Sequence, residues 1–446
     1  MLTYARGNLI TAIGRIQSSV MENQTEKTVY THYNHTDPCK YARWTARESY
    51  QFMYTRPWQQ VTDFYLNLVN GRFPCLNCLD LSYPRGLPPQ THPLQDLGQL
   101  DSHEGTELVN VYTKDRTGRW ARATFKIILS YHGGSFDGWQ KQPGLNTVQA
   151  LVQRSLGRFV DERKAQQLKG RSLPVEGCAL VAGRTDKGVT ALRQVCSFYT
   201  WREDVKAQDV LDAINSAAPG KLCVTSVSKV SRIFHPNFSA KWRRYFYIFP
   251  FNDGEEKQCE GLKGDNENCS LGEIHERNGC DEYIGEEKGG CLIVNGEDEL
   301  ESAKKPRTFS ISRVNQLLRQ LEGKLLSYKV FARDTKASRS MGPPTECFIY
   351  HARAAEGRLP FQEEVNLTGT RVMCVELVAN RFLRKMVRVL VATSIREAAA
   401  GAEDHALLDL MDATCRRATA PPAPPDGLCL VEVGYTEFNQ ENCLIR

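Results

Sequence analysis

The segment with the clearest chemical potential is Gly183-Arg184-Thr185-Asp186-Lys187-Gly188-Val189. It follows a short apolar run, and its two glycines allow the backbone to turn tightly and to approach a ligand. The positive charge of Arg184 can keep Asp186 ionised. A carboxylate held in this way can act as a covalent nucleophile. On spacing alone, an Asx turn with a solvent-facing ion pair remains the alternative.

A second group of polar residues follows position 380. At about 100° per residue, Arg381, Arg384, Lys385 and Arg388 would share one face of a helix, opposite an apolar face. This pattern predicts a basic stripe that could contact phosphates or the carboxylate of Asp186. A solvated charged face is the alternative interpretation.

Tyr245 lies in an apolar, aromatic run directly after Arg243 and Arg244. The run is typical of a β-strand, so Tyr245 could be a core aromatic residue. The two adjacent arginines favour a role in contacting a ligand instead.

The elements that must position these residues alternate between strand and helix patterns. Apolar runs predict strands at 123–131, 178–182, 222–230, 245–251, 372–377 and 429–433. Helical spacing predicts helices at 148–159, 211–217 and 382–400. These patterns indicate an α+β fold whose two halves share one site.

Composition divides the chain further. Residues 252–305 contain 16 acidic and 6 basic residues, and we expect this acidic insertion to be disordered. The rest of the chain then carries a net charge of +15, which suits a polyanionic partner. The predicted segments are 1–29 (organellar transit peptide or disordered terminus), 30–120 (N-terminal extension with helix-compatible spacing at 44–69, then linker), 121–251 (N-terminal half), 252–305 (insertion), 306–436 (C-terminal half) and 437–446 (tail).

The chain has 15 cysteines and no apolar run near the ~20 residues that a membrane span requires. We therefore expect an intracellular, soluble protein with reduced thiols and no membrane contact. The compartment stays open between an organelle (chloroplast or mitochondrion) and the cytoplasm or nucleus. Cys75 and Cys78, with His35 and Cys39, could form a zinc site or be plain buried thiols.

The segment containing Asp186 resembles the catalytic motif of the TruA family of tRNA pseudouridine synthases. Other segments resemble that family in the same order along the chain, from about residue 121 to 435: Tyr131-His132-Gly133-Gly134-Ser135-Phe136-Asp137-Gly138-Trp139-Gln140, Asn146-Thr147-Val148-Gln149, Phe238-Ser239-Ala240 with Arg243-Arg244-Tyr245-Phe246-Tyr247, Phe382-Leu383-Arg384-Lys385-Met386-Val387-Arg388, and Thr419-Ala420-Pro421 with Gly427-Leu428-Cys429-Leu430.

The resemblance implies a two-half pseudouridine synthase fold, with antiparallel sheets meeting at a central basic cleft. It implies that Asp186 is the nucleophile, that Arg184 pairs with it and helps to hold a flipped nucleotide, and that Tyr245 stacks on the target base. Arg388 would lie close to Asp186.

The resemblance also implies tRNA as the partner. Substrate-binding roles are predicted for Arg243, Arg244, Arg384, Lys385 and Arg388. The isomerisation is redox-neutral and needs no metal or other cofactor. A homodimer is expected, because the family often forms one.

Two departures from the family pattern are Thr190, where the bacterial motif has histidine, and Ala392-Thr393, where a glycine is common. They leave the set of Asp186, Arg184 and Tyr245 intact. The sequence leaves two rival functions open. One is a catalytically silent RNA-binding protein, and the other is a hydrolytic N-glycosidase that would release free base.

Overall fold

The protein is built around one large mixed β-sheet with helices on both faces. The computed structural model describes residues 43–82, 122–170, 179–252, 308–333, 345–360, 369–413 and 416–446. The strands are β1 (Asp80–Ser82), β2 (Ala123–Tyr131), β3 (Leu180–Val181), β4 (Thr190–Thr200), β5 (Leu222–Val230), β6 (Trp242–Pro250), β7 (Leu325–Ser327), β8 (Glu346–Arg358), β9 (Arg371–Ala379) and β10 (Leu428–Gly434). The helices are α1 (Ala46–Tyr54), α2 (Trp58–Val69), α3 (Val148–Leu156), α4 (Glu162–Gly170), α5 (Ala207–Asn215), α6 (Ile311–Arg319), α7 (Met386–Ala399) and α8 (Ala406–Asp409).

The strand order is β1-β8-β9-β6-β10-β4-β2-β5, with β3 paired to β4 and β7 paired to β8. The pairing of β10 with β4 is parallel, whereas the other pairings along this order are antiparallel. The prediction of mixed strands and helices is confirmed. The expected pair of sheets is instead one continuous sheet, because β6 from the first half inserts between β9 and β10 of the second half.

The alternation of side chains along β6 separates two hydrophobic cores. Tyr245, Tyr247 and Phe249 face the larger core, which also receives the apolar residues of α7. Phe246 and Ile248 face a smaller core on the other side of the sheet. That smaller core is closed by α2 through its buried Val61, Phe64 and Tyr65. The helix-compatible spacing at 44–69 therefore corresponds to two helices that pack against the sheet.

The prediction of one amphipathic helix from residue 382 is wrong. The helix α7 begins at Met386, and Lys385 before it has a φ of 60°, in the left-handed region. That conformation interrupts any helix at this point, so Arg381, Arg384 and Lys385 lie in a turn and form no helical stripe. The helix α7 is itself buried on all sides, including Arg388 in its first turn.

The local strand predictions agree more closely with the structure. The strands predicted at 123–131 and 222–230 have these same bounds, whereas the run at 178–182 contains a strand of only two residues. The predicted transit peptide or disordered terminus at 1–29 and the acidic insertion at 252–305 lie outside the described residues, apart from Asn252. None of the helices described here is long and apolar enough to cross a membrane.

Candidate active site

Asp186 lies in the loop between β3 and β4, and two glycines fix the path of this loop. Gly188 has a φ of 85°, which strongly favours glycine. Gly138, with a φ of 92°, approaches the loop so closely that a Cβ there would lie 3.0 Å from the amide nitrogen of Lys187. The two glycine-containing motifs of the sequence are therefore one packing unit.

Buried hydrogen bonds from neighbouring residues fix the backbone of the loop that contains Asp186. The hydroxyl groups of Tyr131 and Thr185 lie 2.7 Å apart, and the amide Nε2 of Gln194 donates to the carbonyl of Gly183 at 2.8 Å. The backbone N–H of Trp139 donates to the carbonyl of Thr185 at 3.1 Å. Sequence analysis missed these supporting residues. The available signal was Gln194, a long polar side chain directly before the apolar pair Val195 and Cys196.

The cationic partner of Asp186 is Arg388, which is 202 residues away in the chain. Its Nη1 donates to Asp186 Oδ2 at 3.4 Å, and its Nε donates to the carbonyl of Ala423 at 2.6 Å. The side chain of Arg388 is 9% exposed, whereas that of Asp186 is 34% exposed. The arginine is therefore fixed within the protein, and the carboxylate remains accessible to a substrate.

The ion pair that was expected between Arg184 and Asp186 is not formed. Arg184 is exposed and has no hydrogen bond or ion pair with any residue of the described ranges. Its exposed side chain is therefore accessible to a ligand. Arg384 is likewise exposed and Lys385 is half-buried, both in the turn before α7.

Tyr245 is buried beside the same loop. Its ring packs edge-on against Phe382, with ring centroids 5.0 Å apart. A Cβ on Gly183 would lie 3.9 Å from the hydroxyl oxygen of Tyr245. Burial raises the pKa of Tyr245 to about 12, and the nearby charge of Asp186 contributes to this rise. Tyr245 is therefore a neutral phenol at neutral pH.

Arg243 shares the face of β6 that carries Tyr245. Its guanidinium donates to the carbonyls of Ala182 and Asn380 at 3.0 and 2.9 Å and to Asn237 Oδ1 at 2.6 Å. Burial lowers the pKa of Arg243 below its usual value. Arg243 therefore connects the strand before Asp186 to the loop before β6.

Arg244 points to the opposite face of the sheet, so the structure does not bring it together with Asp186. Its Nε lies 3.7 Å from Glu376 Oε1, and His351 Nε2 lies 3.6 Å from Glu376 Oε2. His351, Glu376 and Cys443 present potential metal-ligand atoms within 4.8 Å of one another. Arg244 already supplies positive charge to this buried group, which opposes a metal ion there. The backbone N–H of Ile445 also donates to Glu376, so the cluster secures the end of the chain.

The segment around Ala423 is held by three side chains. The Nε of Arg388 donates to the carbonyl of Ala423. The hydroxyl of Tyr247 donates to the carbonyl of Pro424 at 2.9 Å. The hydroxyl of Tyr65 donates to the carbonyl of Gly427, also at 2.9 Å. Tyr65 belongs to α2 and is fully buried. The N-terminal helices therefore support the segment that orients Arg388.

The predicted zinc ligands give no complete site. Cys75 and Cys78 are half-buried and flank a short turn before β1, as free thiols. His35 and Cys39 lie outside the residues that the structure describes.

Comparisons with known proteins agree with the resemblance found in the sequence. A family model described as tRNA pseudouridine synthase matches residues 331–436. The tRNA pseudouridine synthases A of Leptospira biflexa and Lacticaseibacillus casei are each 27% identical to this chain, over 313 and 311 residues. Each alignment covers 70% of this chain, with 94% and 99% of the respective relative.

The corresponding enzyme of Chlorobium limicola is 29% identical over 312 residues, and 98% of its length is covered. A solved structure of an unknown protein from Galdieria sulphuraria aligns with 10% identity and a TM-score of 0.16, which is too low to support an argument. The predicted resemblance to the TruA family of tRNA pseudouridine synthases is confirmed by these matches.

Proposed function

We propose that this protein converts uridine to pseudouridine in tRNA, with Asp186 as the nucleophile. The observation that carries the proposal is the half-exposed carboxylate of Asp186, which is paired with the buried guanidinium of Arg388 and lies beside the buried phenol of Tyr245. The guanidinium holds the carboxylate in place, and a carboxylate positioned in this way can act as a covalent nucleophile.

The reaction balances without an external oxidant or reductant. The Asp186 carboxylate adds to the target nucleotide, either at the sugar carbon C1′ or at carbon 6 of the base. The bond between N1 and C1′ breaks, the base rotates, and C5 forms the new bond to C1′. The proton on C5 is released to water, N1 gains a proton, and Asp186 is regenerated.

Tyr245 is assigned to contact with the target base. Its raised pKa keeps the phenol neutral, so it can stack on the uracil ring without carrying a buried negative charge. The edge-on packing of Phe382 fixes the orientation of the ring.

RNA would lie across a central basic cleft that includes Arg184, Arg384 and Lys385. Arg184 and Arg384 are exposed, and no acidic residue accompanies Arg384, Lys385 and Arg388 in the sequence from 381 to 388. Basic side chains of this kind bind phosphates without reading sequence. A target uridine must leave its stack to reach Asp186, and Arg184 is exposed two residues before Asp186 in the same loop. Arg243 positions the site indirectly, because it donates to the backbone carbonyls of Ala182 and Asn380. Arg244 does not belong to the RNA-binding surface, because it points to the opposite face of the sheet.

The test is release of tritium to water from unmodified tRNA transcripts labelled at uridine C5. Wild type should release tritium, and Asp186→Ala should release none while its affinity for tRNA stays within a few-fold, since affinity comes mainly from phosphate contacts. Asp204→Ala is the matched control, because Asp204 is an exposed aspartate remote from the loop of Asp186.

The outcomes separate the rival functions. Tritium release by Asp186→Ala at the wild-type rate would exclude Asp186 as the nucleophile. Binding without release by the wild type would indicate the silent RNA-binding protein, and free uracil among the products would indicate an N-glycosidase. A homodimer stays a prediction that sedimentation of the purified protein tests.

A further inference from the structure

The connection between β5 and β6 displays two exposed apolar side chains. Ile233 is 84% exposed and Phe238 is 82% exposed, the highest values among the exposed large hydrophobic residues in the described ranges. Single exposed apolar residues are common on protein surfaces. These two occur within six residues of each other, in a loop that leads directly into the strand of Tyr245.

The exposure of Phe238 does not reflect a loose loop. The N–H of Ser239 donates to the carbonyl of His235 at 2.9 Å, and the N–H of His235 donates to Ser239 Oγ at 3.1 Å. The backbone N–H groups of Asn237 and Phe238 both donate to His235 Nδ1 at 3.2 Å. The imidazole of His235 also packs against the Phe238 ring, with centroids 4.2 Å apart. The turn is therefore organised before any ligand binds, and one face of the phenyl ring is held outward.

The same turn is joined to the active site. Asn237 precedes Phe238 and accepts a hydrogen bond from Arg243 through its side chain, at 2.6 Å, and through its carbonyl, at 3.1 Å. The same Nη2 of Arg243 donates to the carbonyl of Ala182, four residues before Asp186. One guanidinium thus fixes the position of the exposed ring relative to the loop of Asp186.

We propose that Phe238 stacks on an RNA base next to the target uridine and fills the gap that this uridine leaves when it turns toward Asp186. The inference rests on the proposed function and adds to it the residue that stabilises the flipped state. Apolar side chains inserted between bases replace part of the stacking that flipping removes. The occupant is a nucleic acid base because the connection, residues 231–241, contains no acidic residue and exposes Arg232, while its other basic residue, Lys241, pairs with Glu437.

The test compares Phe238→Ala, Phe238→Trp and the control Leu325→Ala, in which an exposed leucine of β7 is truncated in the same way. Stacking of one base on an aromatic side chain contributes about 1–3 kcal/mol. We therefore expect Phe238→Ala to lower kcat/KM for tritium release by about 5- to 150-fold. Phe238→Trp should restore most of the rate, and Leu325→Ala should match wild type. Phe238 is exposed, so its variants should keep the wild-type melting temperature.

A second readout does not depend on turnover. tRNA containing 5-iodouridine is irradiated in complex with Asp186→Ala, and the crosslinked peptide is identified. The peptide that contains Phe238 should be crosslinked, and this crosslink should disappear when Phe238→Ala is combined with Asp186→Ala in one protein. Equal turnover by Phe238→Ala and wild type, together with no crosslink at this peptide, would overturn the inference while leaving the proposed function intact. A crosslink at Phe238 without tritium release by the wild type would instead support the contact between Phe238 and RNA and contradict the proposed function.

Discussion

Replacing Arg388 tests whether its ion pair with Asp186 supports catalysis, because this arginine contacts both Asp186 and the buried segment at Ala423. The change Arg388→Met removes both the positive charge and the Nε donor while keeping a long apolar side chain. The change Arg388→Lys keeps the charge but loses the planar group that reaches Asp186 and Ala423 together. The pair of variants therefore separates the role of charge from that of geometry.

The size of the expected effect follows from the distance between Arg388 and Asp186 and from the exposed fraction of Asp186. Two unit charges 3.4 Å apart attract by about 1 kcal/mol in water and about 5 kcal/mol at an effective dielectric constant of 20. Because Asp186 is 34% exposed, solvent screening places the value in the lower half of that interval, about 2–3 kcal/mol. If this interaction prepares the nucleophile, Arg388→Met should lower the single-turnover rate by about 30- to 150-fold. The unpaired carbonyl of buried Ala423 adds about 1–3 kcal/mol of lost folding stability.

The assay is single-turnover tritium release with enzyme in excess, combined with urea unfolding of the same samples. Arg388→Lys should lose stability nearly as much as Arg388→Met, because neither keeps the fork that donates to Ala423, yet it should retain more activity. A folded Arg388→Met protein with a rate within two-fold of wild type would contradict this role of Arg388. In that case the carboxylate of Asp186 would be prepared by groups other than Arg388.

Two further predictions concern the supports of the site. Tyr65→Phe removes the hydrogen bond from α2 to the carbonyl of Gly427, so we expect a loss of about 1–2 kcal/mol in the free energy of unfolding and a several-fold lower kcat. Tyr50→Phe, at an exposed position, should change neither quantity, and unaltered stability of Tyr65→Phe would argue against a supporting role for the N-terminal helices. Burial lowers the pKa of His132, so the native state favours the neutral imidazole. The neutral His132 therefore contributes its full stabilisation above the unfolded pKa of about 6.5. This stabilisation is lost as the pH falls through the lowered pKa of the native state. Urea unfolding at pH 7.5 and at successively lower pH should therefore show a smaller loss of stability in His132→Gln than in wild type, and equal losses would exclude His132 as the group responsible.

Much of the local structure was predictable because it depends on short-range patterns. The apolar run at 123–131 and the β-branched run at 222–230 gave the observed strands, since side-chain alternation and branching act within a few residues. The glycine-flanked segment around Asp186 was predicted as a turn at a strand end, where it lies. Even the orientation of Arg244 was available from the sequence, because neighbouring residues on a strand point to opposite faces. The prediction of a binding role for both Arg243 and Arg244 did not use this alternation.

The partner of Asp186 was not given by local patterns, although the resemblance to the TruA family predicted that Arg388 would lie close to Asp186. Arg184 is two residues from Asp186 in the chain, and local reasoning assigned the ion pair to it. The fold instead brings Arg388 to the carboxylate across 202 positions, because β10 inserts between β4 and β6 and the segment at Ala423 fixes the start of α7. The left-handed conformation of Lys385 also arises in this tertiary setting and replaces the helix that periodicity favoured.

The amino-acid sequence was sufficient to predict Asp186 as the nucleophile, since a glycine-flanked aspartate within an ordered series of motifs can be recognised along the chain. The folded structure was needed to establish that Arg388 faces Asp186, that Arg244 points to the other side of the sheet and that α2 supports the site. Burial and charge pairing depend on residues far apart in the chain, and packing of the continuous sheet against α2 and α7 brings these residues together.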